Sequence, residues 1–180
     1  MRAVLDACVL YPTVLREVML GLAGQGLYTP LWSPRLLEEW ARAAARLGPG
    51  QEVIARGDAL AAGLRFPGAS AVLPPGAEVA LDLPDADDRH VLAAAIAAGA
   101  DAIVTLNLRD FPARALAPKG IRAVHPDAFL LELWREHPAA VAAVAEAVRA
   151  EAERLSGAPQ PLRALMKRAR LPRLGKALAA

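Results

Sequence analysis

The sequence predicts an α/β fold in which helices flank a central parallel sheet, followed by a helical extension at the C-terminus. The sheet is predicted from the alternation of two kinds of segment. Short apolar runs rich in β-branched residues alternate with longer segments whose apolar residues have helical spacing. Strands that alternate with helices form parallel βαβ units, and helices then cover the faces of the sheet. The extension is predicted because only helical spacing continues after residue 137.

Each element is predicted from local spacing and from the residues at its ends. The predicted strands cover residues 1–10, 27–33, 101–107 and 121–124, and two extended segments broken by prolines cover 70–75 and 77–84. The predicted helices cover residues 13–26, 33–47, 51–64, 85–99, 125–137, 138–155 and 159–178. Ser33 followed by Pro34 is a typical helix start, with Ser as N-cap and Pro in the first turn. Asp85 or a neighbouring residue caps the helix that ends at Gly99.

Composition excludes several classes of protein. At 55% hydrophobic and 22% charged residues, the chain has the composition of a globular domain and not of a disordered one. Its single cysteine, Cys8, excludes an intramolecular disulfide framework and a cysteine-rich zinc site. We expect no membrane span and no signal peptide, because charges or helix breakers interrupt every apolar run and Asp6 follows Arg2 near the N-terminus. A cytoplasmic protein is the expectation.

Charge is unevenly distributed, although the net charge is only +2. The segment 161–180 contains no acidic residue and six basic ones: Arg163, Lys167, Arg168, Arg170, Arg173 and Lys176. Such a segment either contacts a polyanion such as RNA or forms a solvated helix face. The sequence leaves both interpretations open.

Carboxylates and amides occur at the ends of several predicted elements. They are Asp6 in the first strand, Glu38 and Glu39 one turn into a helix, Asp85, Asp87 and Asp88 at a helix start, and Thr105, Asn107 and Asp110 near the end of a strand. If the two strands concerned are adjacent, these groups meet at one edge of the sheet. Several converging carboxylates need a cation to stay ionised, and oxygen-only ligands suit Mg²⁺ or Mn²⁺. Such ions support phosphoryl transfer.

Structural explanations compete for most of these acids. Asp85 is explained as a plain N-cap, Asp87 as a solvated first-turn acid, Glu38 as a surface residue and Asp110 as a turn cap. Asp6 is the hardest to explain in this way, because a buried strand carboxylate must be paired or coordinated. His90 is predicted to be packing or surface, and Cys8 a small buried hydrophobe.

Three stretches together resemble the PIN domain family, the ribonuclease fold of VapC-type toxins. They are "VLDACVLYP", "SPRLLEEWAR" and "DADDRHVLAAAIAAGADAIVTLNLRDFP", in that order and spacing. The resemblance covers residues 1–127 and implies a PIN-like three-layer fold there, with residues 128–180 as a C-terminal helical extension. It is similar to the extension found in a subgroup of larger PIN proteins.

The resemblance also implies an acidic pocket that binds Mg²⁺ or Mn²⁺ and cleaves RNA. Matched residue by residue, the metal ligands implied are Asp6, Glu39, Asp88 and Asp110, and the further catalytic positions are Asn107 and Thr105. Asn107 departs from the family, many of whose members have a carboxylate there. Whether Glu38, Asp85 or Asp87 takes part is left open.

The predicted function is that of a metal-dependent endoribonuclease, the toxin of a type II toxin–antitoxin pair. The implied partners are an RNA substrate, single-stranded or structured, and a cognate antitoxin; a homodimer is left open. Arg89 or the basic C-terminal residues would contact the RNA backbone. One alternative is a catalytically decayed PIN-fold module that binds RNA or protein, which Asn107 favours. Another is a carboxylate–metal phosphatase or a nuclease acting on DNA.

Overall fold

The computed structural model describes residues 1–179. The strands are β1 (Arg2–Leu5), β2 (Thr29–Leu31), β3 (Ala102–Val104) and β4 (Arg122–Val124). The helices are α1 (Ala7–Leu10), α2 (Thr13–Gly24), α3 (Pro34–Ala44), α4 (Gln51–Arg65), α5 (Arg89–Ala97), α6 (Ala113–Leu116), α7 (Pro126–Glu136), α8 (Pro138–Ser156), α9 (Leu162–Arg168) and α10 (Pro172–Ala177). Short 3₁₀ segments cover Ala45–Leu47, Ala86–Asp88, Leu108–Asp110 and Ala117–Lys119.

The four strands form one parallel sheet in the order β2-β1-β3-β4. In its centre Val4 of β1 is paired with Leu31 of β2 on one side and with Ile103 of β3 on the other. Since β1 and β3 are adjacent and parallel, the residues that follow Leu5 and Val104 leave the sheet at the same edge. The predicted parallel sheet flanked by helices is confirmed, and the predicted C-terminal helices are present.

Residues 1–11 and 28–124 form one compact unit, which contains the whole sheet. Helix α5 packs on β1 and β3, α6 packs on β4, and α3 packs against α1 and α4. Ser33 is the N-cap of α3, as predicted, because its Oγ accepts a hydrogen bond from the Leu36 amide (3.2 Å). Trp32 lies just before α3 and Trp40 lies within it, and both side chains are fully buried. The apolar residues of α3 thus face the core of this unit.

Residues 12–27 and 125–179 form the second compact unit, an arrangement of α2 and α7–α10. Helix α2 packs closely on α8, where a Cβ at Gly21 would lie only 2.6 Å from Cγ1 of Val144. The buried Asp127 on α7 accepts hydrogen bonds from the amides of Arg173 and Leu174 at the start of α10. These contacts fix two of the C-terminal helices within the unit. The predicted boundary between residues 127 and 128 stays a prediction.

The first strand is shorter than predicted. It ends at Leu5, and Ala7–Leu10 form a helix instead of continuing the strand. Asp6 is the N-cap of that helix: its backbone is extended, and its carbonyl accepts hydrogen bonds from the amides of Val9 and Leu10. The apolar sequence is continuous across this change, so periodicity alone could not show it.

The extended conformation predicted for residues 77–84 is also wrong in part. Residues 75–80 are turns, where amides bond to carbonyls three residues back, as from Val79 to Gly76. Gly76 has a φ of +75°, the left-handed conformation that reverses the chain here. The segment 70–75 contributes only one isolated bridge, between Ser70 and Trp32. Among residues 1–179, no helix is both long and apolar enough to cross a bilayer.

Candidate acidic active site

Asp6 and Thr105 join the ends of the two central strands. The Oγ1 hydroxyl of the fully buried Thr105 donates a 2.6 Å hydrogen bond to Oδ2 of Asp6. The same hydroxyl accepts a 3.0 Å hydrogen bond from the amide of Asn107. Asp6 is also buried, with 8% of its surface exposed. Its carboxylate is therefore held in one orientation by a neutral donor and not by a cation. The charge of the carboxylate can thus still act on other groups.

Cys8 supplies the second donor to the same carboxylate oxygen. Its Sγ donates to Oδ2 of Asp6 (3.1 Å) and accepts from the amide of Leu106 (3.2 Å). Burial, and then the negative charge of Asp6, raise the pKa of this thiol to about 12. Cys8 is thus a protonated hydrogen-bond donor that links the start of α1 to the end of β3, a role that the prediction of a small buried hydrophobe missed.

Asn107 and Asp110 form a closed pair after β3. The side-chain amide nitrogen of Asn107 donates to Oδ2 of Asp110. Oδ1 of Asn107 accepts a 3.2 Å hydrogen bond from the exposed Arg109. Asp110 itself is only 14% exposed. The amide at position 107 therefore contacts one oxygen of Asp110, and the other oxygen, Oδ1, lies 3.9 Å from Nε of Arg109.

Asp88 is a half-buried carboxylate with a raised pKa. Burial first, and then the charges of Asp6, Asp85 and Asp110, raise its pKa to about 6. Asp85 caps the 3₁₀ turn before α5, since its Oδ1 accepts from the amide of Asp87 (2.9 Å). The prediction that Asp85 is a helix cap is confirmed. Asp87 is exposed.

Glu39 is held from two sides on α3. Its Oε1 lies 3.0 Å from Nε2 of the buried His90 and 3.1 Å from Nε of Arg35. Burial alone would raise the pKa of Glu39, but the hydrogen bonds and charges of His90 and Arg35 together outweigh it and lower the pKa below its ordinary value. The charge of His90 also acts on Asp88. His90 thus connects Glu39 to the other acids.

Glu38 contacts different residues from those that Glu39 contacts. It forms ion pairs with Arg42 (2.8 Å) and Arg56 (2.5 Å), and the hydrogen bonds from these two guanidinium groups lower its pKa to about 2. This surface network on α3 and α4 separates Glu38 from its neighbour Glu39. The surface interpretation of Glu38 fits these contacts.

The acids fit a hard divalent cation in the chemistry of their donors. Asp6, Asp88 and Asp110 are oxygen donors whose negative charges act on one another, so a cation would relieve the repulsion that raises the pKa of Asp88. Within residues 1–179, however, no group of three His, Cys, Asp or Glu side chains is close enough to hold a metal ion as the side chains lie.

Two functional contacts escaped the sequence prediction. His90 was expected to be packing or surface, yet it is 98% buried, donates toward Glu39 and has a second ring nitrogen, Nδ1, without a hydrogen-bond partner in the described chain. Cys8 was the other. The only signal for either was its position two residues after an aspartate of the cluster, Asp88 or Asp6.

Comparison with known proteins places the chain in a family. A family model described as PIN domain matches residues 2–109, more than half of the 180 residues. A Mycobacterium tuberculosis protein named "Putative ribonuclease VapC50" is 60% identical to this chain over 45 residues. That match covers 25% of this chain and 27% of the relative, so it spans about a quarter of each protein. No solved structure matches the chain.

Proposed function

Since the chain belongs to the PIN domain family, we propose that it is an endoribonuclease dependent on Mg²⁺ or Mn²⁺. One observation supports this most directly: Asp6 and Asp110 follow the adjacent parallel strands β1 and β3, and burial together with their charges raises the pKa of Asp88. Ligands of open α/β sheets bind at this edge. Mutual repulsion among carboxylates is costly to a protein, and a bound cation would relieve it.

In the proposed mechanism, Asp6, Glu39, Asp88 and Asp110 would hold the ion. When bound, it supplies an activated water and neutralises charge on the scissile phosphate. Thr105 keeps the Asp6 carboxylate in place through its 2.6 Å hydrogen bond, and Asn107 keeps Asp110 in place. In-line attack of water at phosphorus breaks the bond to the 3′ oxygen, which takes up a proton. The products are a 5′-phosphate and a 3′-hydroxyl.

The biological role that we propose is that of the toxin of a type II toxin–antitoxin pair in the cytoplasm. The short stretch shared with the M. tuberculosis protein supports it. The partners would be an RNA substrate and a cognate antitoxin. Arg89 or the exposed basic residues of 161–180 would contact the RNA backbone, because cationic side chains bind phosphates whatever the sequence.

The decisive experiment compares Asp6→Asn with the parent on total RNA in Mn²⁺. We expect cleavage by the parent and none by the variant, which should remain folded because an Asn oxygen can still accept from Thr105. Asp101→Asn is the matched control: Asp101 lies before β3, at the opposite end of the strand, where its Oδ2 accepts from the amide of Arg2 (2.7 Å). Equal cleavage by Asp6→Asn and the parent would refute the assignment.

The second candidate function is a PIN-fold module that binds RNA or protein without cleaving it. The contact between Asn107 and Asp110 favours it, because the amide occupies an oxygen that a metal would otherwise use. Titration of Mn²⁺ into the purified protein separates the two. Saturable binding lost in Asp6→Asn supports the enzyme, whereas no heat of binding supports the module.

A further inference from the structure

A cleft with two cationic side chains, Arg114 and Lys119, lies in the unit that contains the sheet and is lined by segments that adjoin acidic residues in the sequence. Its cavity volume is about 410 Å³, within the range of small-molecule sites. Residues 80–84 form one wall, directly before the cap residue Asp85, and residues 112–115 form another, directly after Asp110 and Phe111. One wall of the cleft is therefore four residues from Asp88 in the sequence, and the other is two residues from Asp110.

The charged residues of the cleft are Arg114, Lys119 and Asp82. All three are exposed, and none has an ion pair or hydrogen bond with another of residues 1–179. Arg114 lies on α6 and Lys119 closes the following 3₁₀ turn. Two unpaired cations against one carboxylate make the cleft net positive, next to a cluster that is negative. A phosphate group would be attracted here and repelled by the acids.

The remaining lining is apolar. Its accessible hydrocarbon comes from Pro84 and Pro112, because Leu83 and Leu92 are buried behind them. Such surface suits the face of an unpaired base, because bases stack on apolar and planar groups without a sequence requirement. A cleft with hydrocarbon walls and a cationic rim thus combines the two chemistries of a nucleotide.

We infer that this cleft is a subsite for one unpaired nucleotide of the RNA, adjacent to the scissile phosphate. Arg114 and Lys119 contact its phosphate, and the apolar walls hold its base. The inference rests on the proposed function for its substrate class, RNA, and assigns to Arg114 and Lys119 the role of positioning residues. They act by binding and take no part in bond breaking.

The test measures the binding of a fluorescein-labelled single-stranded oligoribonucleotide by fluorescence anisotropy. EDTA is present so that no cleavage occurs. Arg114→Glu with Lys119→Glu should weaken binding at least tenfold. The slope of log affinity against log salt should fall by about 0.7 for each phosphate contact removed. Arg46→Glu is the matched control, since Arg46 is an exposed, unpaired arginine of the same unit outside the cleft. It should change affinity less than twofold. Asp82→Asn should not weaken binding.

Three outcomes would overturn the subsite: the double variant binds like the parent, Arg46→Glu is as damaging as the double variant, or inorganic phosphate competes as well as a nucleoside monophosphate. The last result would show that the cleft does not recognise the base.

Cleavage of RNA in Mn²⁺ is measured in parallel. If the parent binds RNA through the cleft but does not cleave it, the proposed enzyme is refuted and the subsite is supported. If the parent cleaves RNA and the double variant binds as well as the parent, the enzyme is supported and the subsite is refuted. Melting curves of both variants check that they fold.

Discussion

The hydroxyl of Thr105 and the carboxylate of Asp6 form a 2.6 Å hydrogen bond between the ends of two neighbouring parallel strands. Both side chains are buried, and 99 positions of sequence separate them. Because Thr105 also accepts from the amide of Asn107, one hydroxyl orients the carboxylate and the turn that carries Asp110. The geometry of the acidic cluster therefore depends on this side chain.

Thr105→Val should reduce RNA cleavage at least tenfold and destabilise the fold by about 1–3 kcal/mol. The replacement has nearly the same shape but leaves the Asn107 amide without its hydroxyl acceptor and the Asp6 carboxylate with the Cys8 thiol as its remaining side-chain donor. Cleavage rates and urea unfolding measure the two effects. Thr105→Ser keeps the hydroxyl and should retain most of the activity. Full activity in Thr105→Val would show that the hydrogen bond does not matter, because valine keeps the methyl group and lacks only the hydroxyl.

Cys8 should react slowly with thiol reagents in the folded protein. Since burial and Asp6 raise its pKa to about 12, the reactive thiolate is scarce at pH 8, and alkylation should be more than about a hundredfold slower than in urea. The rate of labelling by iodoacetamide is unambiguous because the chain has one cysteine. Similar rates in the folded and unfolded protein would contradict the contact with Asp6.

Asp88→Asn should abolish cleavage yet raise the melting temperature by a few degrees at pH 7.5 in EDTA. The folded pKa of Asp88 is about 6, above its ordinary value of 3.8. The folded parent therefore binds this proton more tightly than the unfolded chain, and stability from Asp88 is lost as pH rises from about 4 through 6. The variant removes that loss, so its advantage should be larger at pH 7.5 than at pH 5.

Thermal melting of both proteins at the two pH values measures this. A lower melting temperature for Asp88→Asn at pH 7.5 would contradict the repulsion. Mn²⁺ should stabilise the parent more than the variant, because only the parent retains all the proposed ligands.

His90→Leu should weaken Mn²⁺ binding about tenfold, as is typical when a group that orients a metal ligand is lost. His90 and Arg35 lower the pKa of Glu39, so the stability that Glu39 contributes is present above its ordinary pKa of 4.5 and is lost as pH falls. Without the His90 donor that pKa should rise. His90→Gln offers a replacement N–H and should partly restore affinity in calorimetric titrations. Unchanged affinity in His90→Leu would remove His90 from the site.

Asp127→Ala should destabilise the helical unit by about 1–3 kcal/mol, because the buried carboxylate accepts from two amides at the start of α10. Urea unfolding measures the loss. Asp127→Asn keeps one acceptor oxygen and should lose less. A variant as stable as the parent would show that α10 does not need this cap.

The sequence alone was sufficient for the parallel sheet, the caps Ser33 and Asp85, and the acidic residues at the strand ends. These follow from local spacing and from residue chemistry near each position. It could not show that β1 stops at Leu5, because the apolar run continues and the N-cap role of Asp6 appears only in its backbone conformation.

The tertiary structure decided which distant groups act on each other. It separated Glu38, paired with Arg42 and Arg56, from Glu39, which meets His90. It also made Cys8 a donor to Asp6 and opened a cationic cleft beside Asp110. Hydrogen bonds and charge interactions depend on distances of a few ångströms, and the distance between Asp6 and Thr105 arises only when β1 and β3 lie side by side.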